Sequence, residues 1–211
     1  MPASAMFERQ KPFSLACEEN RGPILSVLEA HLAKARSVLE IGSGTGQHAA
    51  FFAAHFHGLT WQASDVAENL PGIALWTSEA NLPNLPPPIA LDVTGQWPAG
   101  PFDAVFSANT AHIMSTEEVA AMFQGVARVL APGGIFALYG PFSYHGCHTS
   151  ESNKRFDLWL KARDPKSGVR DFDMVNGLAE AGGLALKRDH EMPVNNRTLV
   201  WTRIVPGAQA S

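Results

Sequence analysis

Short apolar runs alternate along this chain with longer segments whose apolar residues recur three and four positions apart, and the two periods predict different elements. Ile24, Val27, Leu28 and Leu32 share helical spacing, so residues 23–34 form a predicted helix with Pro23 in its first turn. Residues 37–41 form a predicted buried strand, and the alanine- and phenylalanine-rich residues 47–55 a helix. A second strand is predicted at 59–63, ending at Ser64-Asp65, then a helix over 68–80 interrupted by Pro71-Gly72 and a third strand over 89–93. Residues 102–108 and 134–142 give strands four and five. The helix between them, 116–130, is stopped by Ala131-Pro-Gly-Gly134. A further helix presents Phe156, Trp159 and Leu160 and ends at Asp164-Pro165, with Thr149, Ser150 or Ser152 as its cap. Residues 184–192 and 197–205 flank Pro193-Val-Asn-Asn196 as an antiparallel terminal hairpin. Strands alternating with helices imply an α/β fold: a parallel sheet with helices on both faces.

The turn after the first strand carries the chemistry. Gly42, Gly44 and Gly46 alternate, which lets backbone approach a ligand closely. The dinucleotide fingerprint G-x-G-x-x-G needs glycine where this chain has Gln47. Glu40 stands two residues before the first glycine, and its charge opposes a pyrophosphate while attracting an ammonium group. Residues 40–46 therefore resemble motif I of class I S-adenosylmethionine-dependent methyltransferases, E-x-G-x-G-x-G. That resemblance implies a single Rossmann-like domain with a seven-stranded sheet ordered 3-2-1-4-5-7-6, strand seven antiparallel.

At 211 residues the chain fits one domain. Residues 1–22 are read as a leading segment, 23–205 as the methyltransferase domain and 206–211 as a tail. A net charge of −4 and a pI near 6.0 give no general attraction to nucleic acid or an anionic membrane. The basic residues between Lys154 and Arg170 read as a solvated helix face. No apolar run approaches the ~20 residues that span a bilayer, and residues 1–21 contain no secretory apolar core. Two cysteines are too few for a disulfide framework or a protein-only zinc site, so no metal and a cytoplasmic setting are expected. The oligomeric state is left open.

Ligands of open α/β sheets bind at the carboxyl ends of strands. Glu40, Asp65 and Asp92 stand at three such ends. Asp65 suits paired ribose hydroxyls, as the equivalent acid does in the methyltransferase class, or caps a helix. Asp92 and Val93 suit the adenine edge. The expected cofactor set is Glu40, Gly42, Ser43, Gly44, Gly46, Asp65, Asp92, Val93 and Asn109. Asn109 and His112 follow strand four, where they either meet the methyl acceptor or turn and pack the chain. After strand five, Tyr139, Tyr144, His145, His148 and Asn153 fall in a polar stretch that overhangs the reaction mouth. His112 and His148 are the catalytic candidates, each able to take a proton near neutral pH. Tyr139, Tyr144, His145 and Asn153 are the substrate-binding candidates, and His112, Tyr144, His145 and His148 are expected to share one cavity.

Wider matches extend the resemblance: VLEIGSGTGQH (38–48), YGPF (139–142), HTSESN (148–153), Arg163-Asp164-Pro165, and Met192-Pro193 with Asn195-Asn196. Together they are similar to the family of methyltransferase-like protein 26, catalogued as domain of unknown function 938. The resemblance implies an S-adenosylmethionine-dependent methyltransferase of a small-molecule acceptor, or a protein that keeps the cofactor and performs no transfer. It implies no particular acceptor. Ala108-Asn-Thr-Ala-His112 departs from the N-P-P-Y loop of some amino-group methyltransferases. Cys17, Glu18, Asn20 and Arg21 form either a lid over the cofactor or a frayed terminus, with Phe7 and Phe13 favouring docking.

Overall fold

The computed structural model describes residues 10–205. In chain order the elements are α1 (Leu15–Leu32), β1 (Ser37–Ile41), α2 (Gln47–His55), β2 (Thr60–Asp65), α3 (Leu70–Ala80), β3 (Ile89–Ala90), β4 (Phe102–Ala108), α4 (Thr116–Val129) and β5 (Leu130–Gly140). There follow β6 (Phe142–Tyr144), β7 (Cys147–His148), α5 (Glu151–Arg163), β8 (Arg170–Asp171), α6 (Phe172–Ala181), β9 (Leu184–Met192), a 3-10 turn (Pro193–Asn195) and β10 (Asn196–Arg203).

Seven strands form one sheet in the order β3-β2-β1-β4-β5-β10-β9. This is the expected 3-2-1-4-5-7-6 arrangement. β1, β2, β3, β4 and β5 are parallel, and β10 runs antiparallel to β5 and β9. Successive residues of a strand point to opposite faces, which divides the core in two. Val38, Ala104, Phe106 and Ala137 pack with α1, α2 and Trp61 on one face. Leu39, Val105, Phe136 and Leu138 pack with α4, α6 and Trp201 on the other. Helices thus cover both faces. The fold is the Rossmann-like fold of class I methyltransferases.

Several elements differ from expectation. α1 starts eight residues earlier than predicted because Ser14 caps it, its hydroxyl accepting from the Cys17 amide. Pro23 therefore lies inside the helix, and the boundary expected after residue 22 falls within it. β3 has two residues instead of five, so Asp92 lies beyond it, in a turn closed by Gly95 N–H to the Asp92 carbonyl. β5 begins at Leu130, the residue that caps α4, and Pro132 to Gly134 form an irregularity at its start rather than a separate stop. The stretch after β5 is not a plain loop. β6 pairs with β7 and β8 in a three-stranded sheet. Helix α6 was not predicted, although Phe172, Val175, Leu178 and Ala179 carry its helical spacing and Asp171 caps it.

Candidate active site

A cavity of about 650 Å³ opens at the carboxyl ends of β1, β2, β4 and β5, within the roughly 300–1,000 Å³ of small-ligand sites. One wall is the glycine turn. All three glycines have positive φ, yet they serve different ends. A Cβ on Gly42 would stand 2.6 Å from Thr110, and one on Gly46 3.0 Å from the Ile73 backbone. Packing requires glycine at both; Gly42 also lines the cavity, and Gly46 does not. Gly44, at φ +58°, has nothing within 4 Å of where its Cβ would be, and it lines the space.

Asp65 braces this turn. Its carboxylate accepts from the Gly44 amide at 2.7 Å, the Val66 amide at 2.8 Å and Asn69 Nδ2 at 2.9 Å. Among the described residues it is the only carboxylate lining the cavity. Glu40 stands behind the turn without lining it, 1% exposed, and accepts from Trp61 Nε1 at 2.8 Å. Burial pushes its pKa up to about 7 against the hydrogen bonds from Trp61 and Ser43. Ser43 and Asn109 line the space, Asn109 at φ +59°. Asp92 and Val93 do not. Asp92 is exposed, and Thr94 hydroxyl and amide hydrogen bonds hold its carboxyl below the usual range. With β3 ending at Ala90, both residues fall outside the lining of this cavity.

His112 lines the cavity and is buried. Desolvation, then the charge of Arg170, lowers its pKa to about 4, so the imidazole is neutral at neutral pH. Among the described residues neither ring nitrogen has a hydrogen-bond partner. The loop carrying it is clamped by Arg170, whose guanidinium donates to the carbonyls of Ala111 (3.0 Å), Met114 and Lys166 (2.8 Å). Gly168 N–H donates to the His112 carbonyl at 2.9 Å. The residues after α5 thus position β4's loop.

The other expected residues separate. Tyr144, His145 and His148 do not share this cavity. Tyr144 donates to Asp189 at 2.6 Å and stacks on Phe172, and burial together with that carboxylate raises its pKa. His145 is exposed and pairs with Asp173 at 2.8 Å. His148 Nε2 lies 3.4 Å from Asp157, and its Nδ1 is buried without a partner among the described residues. Pairing within the β6–β7 hairpin and against α5 and α6 draws all three off the mouth. Tyr139 lines a smaller neighbouring cavity of about 220 Å³, its hydroxyl accepting from Asn196 Nδ2 at 3.0 Å. Asn153 does line the main cavity, while its amide donates to Thr149 and the Asn195 carbonyl, tying α5 to the terminal hairpin.

Sequence reading missed His48, which lines the cavity as the second residue of α2. Its Nε2 lies 2.7 Å from Asn20 Oδ1, and burial followed by Arg21 lowers its pKa to about 4. Its place directly after the glycine turn was the available signal. The leading segment closes over this corner, with Ser14 and Cys17 on the wall. Gln47, the residue that breaks the dinucleotide fingerprint, holds it there: its Oε1 accepts from Ser14 N–H at 2.5 Å and its Nε2 donates to Glu18 at 2.7 Å. Trp76 donates to the Pro12 carbonyl at 2.7 Å, and Lys11 sits over the same ring. Docking is polar. Phe13 is 63% exposed, against the expectation that it docks, and Phe7 lies outside the described residues.

Solved structures share the fold. An O-methyltransferase family protein from Burkholderia thailandensis superposes with a TM-score of 0.78 at 17% identity, over 90% of this chain and 58% of that one. The S-adenosylmethionine-dependent methyltransferase SibL gives 0.77 at 16%, over 90% and 56%. Human N-acetylserotonin methyltransferase, solved with S-adenosylmethionine, gives 0.73 at 12%, over 90% and 53%. The chain spans a little over half the length of these structures. Among the described residues no helix is long and apolar enough to cross a membrane. Residues 11–203 match the family described as "Protein of unknown function (DUF938)", and the chain belongs to that family.

Proposed function

We propose that this protein is an S-adenosylmethionine-dependent methyltransferase of a small-molecule acceptor, working in a reducing cytoplasm. The observation that carries the reading is the pairing, in one cavity, of the Gly44 turn braced by Asp65 with an unpartnered neutral His112. The residues fit the cofactor. Gly44 leaves open space against its backbone, Asp65 retains acceptor capacity for ribose hydroxyls, and Asn109 offers both a donor and an acceptor. Glu40 places a buried acid behind the turn, and a cation in the cavity favours its ionised form. The resemblance to methyltransferase-like protein 26 supports the same cofactor.

When bound, S-adenosylmethionine supplies a methyl group on a cationic sulfur. The chain's own part is alignment, exclusion of water and proton handling. His112 accepts the acceptor's proton, or a hydrogen bond from it, at a ring nitrogen. A base whose pKa lies near 4 is weak. It therefore suits an acceptor whose proton is already loosened, or it orients the attacking lone pair. His48 and Asn20 form a second neutral polar pair, which fixes the corner beneath the leading segment. That segment acts as a lid through Ser14 and Gln47. His148 stands outside this machinery.

Titration calorimetry tests the reading. Saturable binding of S-adenosylhomocysteine and no binding of NAD are expected; saturable NAD binding with neither sulfur ligand bound removes the assignment.

A further inference from the structure

Beyond His112 the cavity changes character. Helix α5 turns Phe156, Trp159, Leu160 and Arg163 toward it, spaced so that they share one helix face. Their rings continue outward from His112 as a ladder. His112 meets Phe156 edge-on with centroids 5.2 Å apart, and Phe156 stacks on Trp159 at 5.8 Å with 18° between the planes. The Arg163 guanidinium lies over Trp159, 4.6 Å from the ring centroid. Solvent still reaches Trp159, which is 51% exposed, and Val194 on the same rim is 79% exposed. Large apolar side chains left open around a concave site mark ligand contact.

The charges are divided between the two ends. Among the described residues Arg163 is the only Lys or Arg lining the cavity, and Asp65, the only carboxylate, braces the glycine turn. Arg163 forms no ion pair among the described residues. An Arg on an aromatic face keeps its in-plane N–H fork free for a carboxylate or a similar planar anion.

We propose that the outer half of the cavity binds a planar aromatic acceptor bearing an anionic group, its ring against Trp159 and its anion at Arg163. The inference rests on the methyltransferase reading and names the acceptor's chemical class. An aromatic ring packs edge-to-face against the exposed Trp159, a geometry that aromatic pairs favour and an aliphatic chain does not supply. The anion at the outer end directs the opposite end of the molecule inward, toward His112. A conjugated hydroxyl there has the loosened proton that a weak base can manage.

The test uses the full chain with S-adenosylhomocysteine and 6-hydroxy-2-naphthoate as probe, against its neutral amide and cyclohexanecarboxylate. Calorimetry is expected to show the aromatic acid binding at least tenfold more tightly than either control. Arg163→Gln should abolish the preference of acid over amide, and Trp159→Leu should weaken both aromatic probes. Both variants should keep their affinity for S-adenosylhomocysteine within twofold. Equal binding of acid and amide, no binding of the acid, or a preference that survives Arg163→Gln overturns the acceptor class while S-adenosylhomocysteine still binds. Failure of S-adenosylhomocysteine to bind the unmodified chain overturns the methyltransferase reading itself, and the acceptor assignment with it.

Discussion

The cavity has two walls made by different means. The wall at β1 and β2 is backbone: a glycine turn held by one carboxylate, with packing contacts beneath it. The wall at α5 is side chain, an aromatic face ending in a cation, and it stands where it does because distant contacts put it there. Asn153 ties α5 to the terminal hairpin, and Asp157 accepts from the Val169 amide at 2.8 Å. A backbone wall recognises what ligands of a class have in common. A side-chain wall distinguishes one acceptor from another.

Damage to the two walls should therefore differ in kind. The largest effect is expected at Gly44→Val. A residue other than glycine at φ +58° costs about 1–2 kcal/mol of stability, and its branched side chain would intrude on the ligand. Affinity for S-adenosylhomocysteine should become unmeasurable by calorimetry while the circular dichroism spectrum keeps its α/β shape. Retained affinity would show that the backbone wall is not a ligand surface.

Titration sharpens the contrast between the neutral imidazoles and the acid behind the turn. His48 and His112 hold pKa values near 4 against an ordinary 6.5. The unfolded chain takes up these protons first as pH falls. The stability the two residues contribute is thus complete above pH 6.5 and lost toward pH 4, roughly 3 kcal/mol each. Glu40 has the opposite sign. Its folded pKa near 7 exceeds the ordinary 4.5, so its contribution is present below pH 4.5 and lost as pH rises through 7, again by roughly 3 kcal/mol. Urea unfolding between pH 4 and pH 8 should show Glu40→Gln stabilised relative to the unmodified chain at pH 8, with the difference gone at pH 4. An unchanged difference across that range would contradict the burial argument.

Smaller effects follow at Asp65 and His112. Asp65→Ala removes a brace and, on the proposed function, a ribose partner, and cofactor affinity should fall by roughly 1.5–3 kcal/mol. Once an acceptor is in hand, His112→Ala should lower kcat more than it lowers cofactor affinity. His148→Ala should leave both within about threefold, because its carboxylate partner lies off the cavity. A His148 effect as large as that of His112 would move the reacting centre toward α5.

The backbone wall was legible in the sequence because its elements are local. Residues 37–46 carry strand, acid and glycines in one stretch, and 47–55 match α2 residue for residue. The hairpin of β9 and β10 was equally plain, since alternation and a proline turn are short-range signals. Position relative to the cavity was not. Asp92 failed to reach it because β3 stops three residues sooner than the apolar run suggested, and Tyr144, His145 and His148 because β6 and β7 form a small sheet with β8, more than twenty residues downstream. Arg170 read as a solvated cation and proved to be the clamp on the His112 loop. Two of its three carbonyl partners, Ala111 and Met114, lie more than fifty residues away, and no local pattern announces them.

The central claim is that one cavity joins the glycine turn to His112 as a methyl-transfer site. A crystal structure of the full chain with S-adenosylhomocysteine tests it most directly. The account predicts the adenosine end along Gly44 and Asp65, and the sulfur facing the space between His112 and Phe156. A ligand bound elsewhere, or a sulfur sealed off from His112 by the protein, would contradict it.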